Sequence, residues 1–453
     1  MPSFQQNPLR ANTRILAAAL VGTAVEFYDF YIYATAAALV FGPLFFPAES
    51  PAAQTLFALM SFGIAFIARP VGAVAFGHFG DRVGRKSTLV ASLMLMGAST
   101  LLIAFLPTYT QMSAMGAGWV APLLLCLLRF GQGFGLGGEW GGAALLAVEN
   151  APKGWEARFG AAPQLGAPVG FLAANGLFLL LGLGLSEQDF RDWGWRVPFL
   201  ASAVLVAIGL WVRLRIGETR AFSEAMEREA PPAVPLARVL AHHPGSVLAG
   251  SAGVIACFAI FYLATAYALA QGTGPLGYGR ETFLAVQLAA NCFLAIGILL
   301  AALHADRASP RRVLLIGAAA TVALGLVFGS GLGAGSLWLV FATLAAALLV
   351  MGYTYGPLGA WLPTLFPVPV RYSGISVAFN TGGIIGGAVT PVLAQTMAVA
   401  GWGAQAGLLL SAAGAVTLLG VILAKPARVQ SGSRAVSRAS SRRRPWPGGA
   451  GDP

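Results

Sequence analysis

Apolar residues recur in twelve long runs, each ended by Pro, Gly or a cluster of charge. The runs fall near 14–42, 53–80, 88–107, 119–148, 158–184, 195–214, 245–270, 281–304, 312–330, 336–366, 372–397 and 402–424. About 20 apolar residues in a helix cross the hydrocarbon of a bilayer. Each run therefore predicts one transmembrane helix, and the chain an all-α polytopic membrane protein. The first run is about thirty residues long and carries acids, so it is expected to be a retained first helix and not a cleaved leader.

The polar interruptions alternate in charge. Arg10 and Arg14 precede run 1; Arg82, Arg85 and Lys86 follow run 2; Lys153 and Arg158 follow run 4. Arg213, Arg215, Arg220, Arg228 and Arg238 follow run 6, Arg307, Arg311 and Arg312 run 8, and Arg371 run 10. The opposite loops offer Arg191 and Arg280. Cytoplasmic loops carry the Lys/Arg excess, which places both termini in the cytoplasm. The longest polar interval, 216–243, divides the chain into a six-helix bundle over 14–215 and another over 244–425. Residues 1–13 form a cytoplasmic N-terminus, and 426–453 a basic tail that reads as disordered. Asp81-Arg82 after run 2 recurs as Asp306-Arg307 after run 8, at the same place in each half. That echo implies duplication, a plan on which many transporters are built.

Composition agrees: 57% of residues are hydrophobic and 10% charged, with mean hydropathy +0.74. Soluble domains average about 25% charged. The net charge of +11 is a topology signal and not evidence for nucleic acid. Cys126, Cys257 and Cys292 lie in apolar runs without metal spacing. No nucleophile–base pair or nucleotide loop is present, so no enzyme and no cofactor is expected. The glycine-rich runs 131–142 and 382–389 lack the strand and Lys-Ser/Thr of a phosphate loop.

The pattern Gly77-x-x-x-Asp81-Arg82-x-Gly84-Arg85-Lys86 resembles the loop 2–3 signature of the major facilitator superfamily. With "EFYDF" (26–30), "RFGQGFGLGGEWGGAALLAVENAP" (129–152) and "YGPLGAWLPTLFPVPVRYSG" (355–374), the chain is similar to that superfamily's metabolite:proton symporters over about residues 12–425. The resemblance implies two pseudo-symmetric six-helix bundles and transport of carboxylates, dicarboxylates or zwitterions such as betaine. It implies a breakable latch at Gly77, Asp81, Arg82, Gly84, Arg85 and Lys86, to which Glu149, Asp306 and Arg307 are candidate additions. Ser309-Pro310 replaces the expected Gly-Arg in the second half, which predicts a weaker latch there. Span 5 lacks the glycine-proline run of exporters in this superfamily, which favours uptake.

The chemistry centres on charges inside the runs. Glu26 and Asp29 lie one turn apart on one face of run 1. Two acids so close in a low dielectric cannot both ionise easily, and intramembrane acids mark ion pathways by default. They are the candidate proton-coupling groups, with Arg129 and Glu139 of run 4. The last two are separated by about 15 Å of helix and ~80° of rotation, so each requires a partner elsewhere. Arg69 in run 2 is a candidate for substrate binding, as is Arg129; a static salt bridge between runs 1, 2 and 4 is the alternative. The second half offers uncharged groups, of which Gln287, Asn291 and Asn380 are the candidate substrate contacts. The expectation is a monomeric importer of a small acid or zwitterion, driven by the proton gradient through alternating access. A uniporter or exporter of the same fold, or a membrane metabolite sensor, are the alternatives.

Overall fold

The computed structural model describes residues 8–48, 50–83, 85–137, 139–215, 235–367 and 370–427. The helical path alone is described for residues 10, 11, 14, 15, 77–83, 85–89, 139, 146, 212–215, 235 and 236, whose side chains are not. The described residues form helices and connecting turns, without a strand. Eleven helices are long and apolar enough to cross a membrane: Leu16–Phe45 (span 1), Pro51–Phe76 (2), Val120–Glu149 (4), Glu156–Gly184 (5), Gly194–Trp211 (6), Pro244–Thr273 (7), Arg280–Arg307 (8), Pro310–Leu332 (9), Leu337–Leu365 (10), Arg371–Val399 (11) and Gly403–Leu423 (12). Helix Arg85–Ile103, apolar over Val90–Ile103, occupies the place of span 3.

The two halves repeat one packing scheme. In the first, span 1 packs on spans 5 and 6, span 2 on span 4, and span 3 on spans 4 and 6. In the second, span 7 packs on spans 11 and 12, span 8 on span 10, and span 9 on spans 10 and 12. Each contact of the first half thus reappears six spans later. The halves meet symmetrically too, span 2 against span 11 and span 5 against span 8. This is the major facilitator arrangement of two pseudo-symmetric six-helix bundles.

Lipid gives helices little hydrophobic reason to associate, so small residues that permit close van der Waals approach carry much of the packing. A Cβ at Gly133 of span 4 would lie 2.2 Å from the Ala65 carbonyl oxygen of span 2. In the second half, a Cβ at Gly297 of span 8 would lie 2.3 Å from the Leu349 carbonyl oxygen of span 10. The same crossing is therefore closed by glycine in both halves.

Three spans contain a π-helical turn: Ala37–Phe41 in span 1, Leu263–Tyr267 in span 7 and Ile384–Val389 in span 11. Such turns are rare and free backbone carbonyls from the helical ladder. Gln287 of span 8 donates to Ala264 O at 3.1 Å and Thr265 O at 2.9 Å, both in the span 7 turn.

Candidate functional site

Midway along the contact between the halves lies a small cavity. Its walls come from spans 1, 2 and 4 (Glu26, Phe27, Arg69, Leu136, Gly137, Trp140, Gly141) and from spans 7 and 11 (Phe258, Ser376, Phe379, Asn380). Its volume is about 30 Å³, roughly room for two waters. An organic solute needs the walls to separate.

Glu26 and Asp29 part company at this point. Three residues of helix leave two side chains about 60° apart, and the cavity wall falls between them. Glu26 lines the cavity. Asp29, fully buried, turns into the first bundle, where its Oδ1 accepts from Ser202 Oγ of span 6 at 2.5 Å.

The two arginines part in the same way. Arg69 lines the cavity, its guanidinium 4.4 Å from the ring centre of Phe30 and 4.9 Å from that of Phe66. Arg129 is fully buried in the first bundle and boxed by Phe30, Tyr33 and Phe62 at 4.2, 4.1 and 4.8 Å. Its Nε donates to Phe62 O at 3.4 Å and its Nη1 to Gln132 Oε1. Gln132 Nε2 in turn donates to the Asp29 carbonyl at 2.8 Å and to Thr100 Oγ1 at 2.9 Å. Phe30 thus stands between two guanidinium groups, its π faces attracting both while separating like charges.

The second-half amides bond to backbone across helices. Asn380 Nδ2 donates to Gly137 O at 3.0 Å, joining span 11 to span 4 beside the cavity, and to Ser376 O at 2.9 Å. Asn291 Nδ2 donates to Pro168 O of span 5 at 2.9 Å. Gln287 serves the π turn and lines a second, smaller cavity with Tyr31, Thr35, Asn175 and Thr265.

Aromatic layers close both sides of the cavity. Trp140 of span 4 stacks on Phe379 of span 11, centroids 3.6 Å apart and planes 7° from parallel. Its Nε1 is 3.1 Å from both Gln164 Oε1 and Tyr355 Oη. Gln164 Nε2 also donates to Tyr355 O at 2.9 Å. Span 4 runs toward the arginine-rich face, so this layer lies between that face and the cavity. On the other side Tyr31 stacks on Phe261, with Phe171 edge-on to both.

Beyond these layers, charged clasps bridge the halves. At the arginine-rich face Asp306 of span 8 accepts from the backbone N–H of Ala157 (2.8 Å) and Arg158 (3.2 Å) and from Arg158 Nε (2.6 Å). Trp155, at the N-cap of span 5, supplies no side-chain cap, so Asp306 caps that helix from the other bundle. The substitutions at Ser309 and Pro310 leave this carboxylate in place, Ser309 capping its own helix through Arg312 N–H. At the opposite face Arg280 of span 8 meets Glu187 at 3.2 Å and covers the Phe190 ring at 3.8 Å, both in the connection after span 5. Glu149 and Arg307 are exposed. The side chains of Asp81, Arg82, Arg85, Lys86 and Glu139, the surroundings of Gly77 and all of Gly84 lie outside the described residues.

Twelve helices in twinned halves, closing on a charged cavity and clasped at both ends, define a transporter of the major facilitator superfamily. The chain belongs to the metabolite transport proteins of that superfamily. It is 46% identical to the inner membrane metabolite transport protein YhjE of Escherichia coli (strain K12) over 94% of this chain and 97% of that one. It is 38% identical to the shikimate transporter of the same organism over 85% and 87%. Against a proline/betaine transporter of Salmonella typhimurium it is 30% identical over 84% and 77%. Residues 15–233 match the sugar (and other) transporter family. The fold is similar to that of the proton:xylose symporter XylE bound to a bromo-deoxyglucose, with TM-score 0.73 and 15% identity over 92% and 95% of the chains. It is a transporter, not an enzyme.

Proposed function

We propose that the chain imports a small organic acid or zwitterion together with protons, with the arginine-rich face toward the cytoplasm. One observation carries the reading: a carboxyl group, Glu26, and a guanidinium group, Arg69, line the same closed cavity where the two halves meet. An acid inside a membrane is costly and by default marks an ion pathway. Glu26 can take a proton on one side and release it on the other. Relatives named for metabolites, shikimate and proline/betaine support a small polar solute.

Alternating access follows from the closures. Opening toward the cytoplasm breaks the Arg158–Asp306 clasp and unstacks Trp140 from Phe379. Opening outward breaks the Arg280–Glu187 clasp and parts Tyr31 from Phe261. Phe30, Gln132 and Arg129 keep the first bundle rigid while it rocks.

The test adds candidate acids and betaines singly to energy-depleted cells expressing the chain and records external pH. A transported solute is expected to make the medium alkaline, because protons enter with it. Uptake of labelled solute with no pH change would refute proton coupling.

A further inference from the structure

We propose that the transported solute is a monoanion whose carboxylate is bound by Arg69, and that ionised Glu26 is the internal anion it replaces. The inference rests on the symport reading above and deepens it by fixing the charge of the solute.

Arg69 is 8% exposed, and its guanidinium is held by ring faces, which attract a cation without accepting a conventional hydrogen bond in their plane. Its Nε has no hydrogen-bond partner. Across the cavity, on the other bundle, Ser376 Oγ is also buried without a partner. A guanidinium fork matches a carboxylate, and a hydroxyl opposite it would engage a second polar group of the same solute. The bound solute would then touch both halves. Arg129 also has a buried Nη2 without a partner, but it lies in the ring box outside the cavity lining, bonded to Phe62 O and Gln132, so position and not a spare donor assigns the anion to Arg69.

Charge balance gives the stoichiometry. Glu26 and Arg69 are the charged residues among the cavity-lining positions. The other ionisable groups close to this pair are Arg129, behind the Phe30 ring and outside the cavity lining, whose charge is the same in every state considered, the phenols of Tyr31, Tyr262 and Tyr355, and the Cys257 thiol beside Tyr31 and Tyr355; the phenols and the thiol are neutral in their protonated forms. Glu139 begins the second helix of span 4, and its side chain is outside the described residues. With Glu26 ionised and the cavity empty, the lining is neutral. With Glu26 protonated and a monoanion on Arg69, it is neutral again. A proton alone leaves one uncompensated positive charge, and the anion alone one negative charge. An unpaired charge in a closed, low-dielectric cavity is strongly disfavoured. The two neutral states are therefore the ones that can pass through closure, which makes coupling obligatory. A zwitterion loaded with a proton would leave a net positive charge, and a dianion a net negative one.

The experiment uses the full chain in liposomes with imposed gradients. The probes are a panel of hydroxylated and aromatic monocarboxylates that includes shikimate, succinate as a dianion, and glycine betaine as a zwitterion. Monocarboxylate is expected to accumulate roughly tenfold per unit of pH gradient, acid outside, with no response to a potassium–valinomycin potential. Arg69→Gln is expected to raise KM roughly tenfold or more, with Arg69→Lys intermediate and both variants monodisperse in detergent. Wild-type exchange at fixed anion is expected to weaken as pH rises, and Glu26→Gln exchange to be flat with pH. Betaine uptake driven by both pH gradient and potential would overturn the monoanion rule while leaving proton symport standing. Accumulation of no monocarboxylate in the panel would overturn it as well. Solute uptake indifferent to the pH gradient would overturn the symport reading itself.

Discussion

Asp306→Asn should open the arginine-rich face. The Asp306 side chain, 3% exposed, accepts three hydrogen bonds from span 5, at 2.6, 2.8 and 3.2 Å. Hydrogen bonds to a charged group contribute about 1.5–3 kcal/mol each, and an acid at a helix N-terminus adds about 0.3–1 kcal/mol. An asparagine oxygen can keep the bond to Ala157 N–H but loses the charge facing Arg158. Arg158 is 26% exposed, so solvent screening reduces the ion-pair share. The net loss is about 2–3 kcal/mol, or roughly 30- to 150-fold in the ratio of closed to open states. The assay places a single cysteine at Ser376, on the cavity wall, in a chain whose Cys126, Cys257 and Cys292 have been replaced. Labelling by an impermeant maleimide is timed from each face. From the arginine-rich face the variant is expected to label faster by one to two orders of magnitude. A rate within twofold of the parent, or acceleration from the opposite face, would show that Asp306 does not hold the arginine-rich face closed.

Three further outcomes follow from the same geometry. Glu187→Gln at the opposite clasp removes a pair whose acid is 64% exposed; exposed pairs are worth at most about 1 kcal/mol, so labelling from that face should rise no more than a few-fold. Phe30→Leu removes the ring between Arg69 and Arg129 and should cost about 2–4 kcal/mol, read as a lower midpoint of thermal unfolding in detergent, with Phe30→Trp milder. Gly133→Val drives a side chain into the Ala65 backbone and should cost about 1–3 kcal/mol or more, cutting the yield of monodisperse protein, whereas Gly22→Ala, with nothing within 4 Å of the added carbon, should be neutral.

The spans were legible because a membrane leaves a simple mark: length, apolarity and a charge at each end. The twofold plan was legible because Asp81-Arg82 and Asp306-Arg307 recur at matching positions. What the intramembrane charges touch was not. Glu26 and Asp29 are neighbours on one helical face, yet a 60° difference sends one to the cavity and the other to Ser202. A lone serine in an apolar helix gives no warning of that partnership. Gln132 had a signal, since it stands one turn from Arg129, where a buried guanidinium needs an acceptor. Trp140 also had one, as a large amphipathic ring among glycines, but its stacking on Phe379 depends on two helices brought together from opposite halves. The amides of Gln287 and Asn291 read as possible solute contacts because sequence shows their polarity and not the π turn or the facing carbonyl that engages them.

If the Glu26 carboxyl carries the coupled proton, its loss should separate exchange from accumulation. In liposomes holding Glu26→Gln, counterflow exchange of a transported solute is expected to proceed, because a neutral side chain satisfies the loaded cavity. Accumulation under a pH gradient is expected to vanish, along with solute-induced proton movement. Accumulation by Glu26→Gln equal to that of the unaltered chain, with protons still moving, would mean that the coupled proton rides on another group.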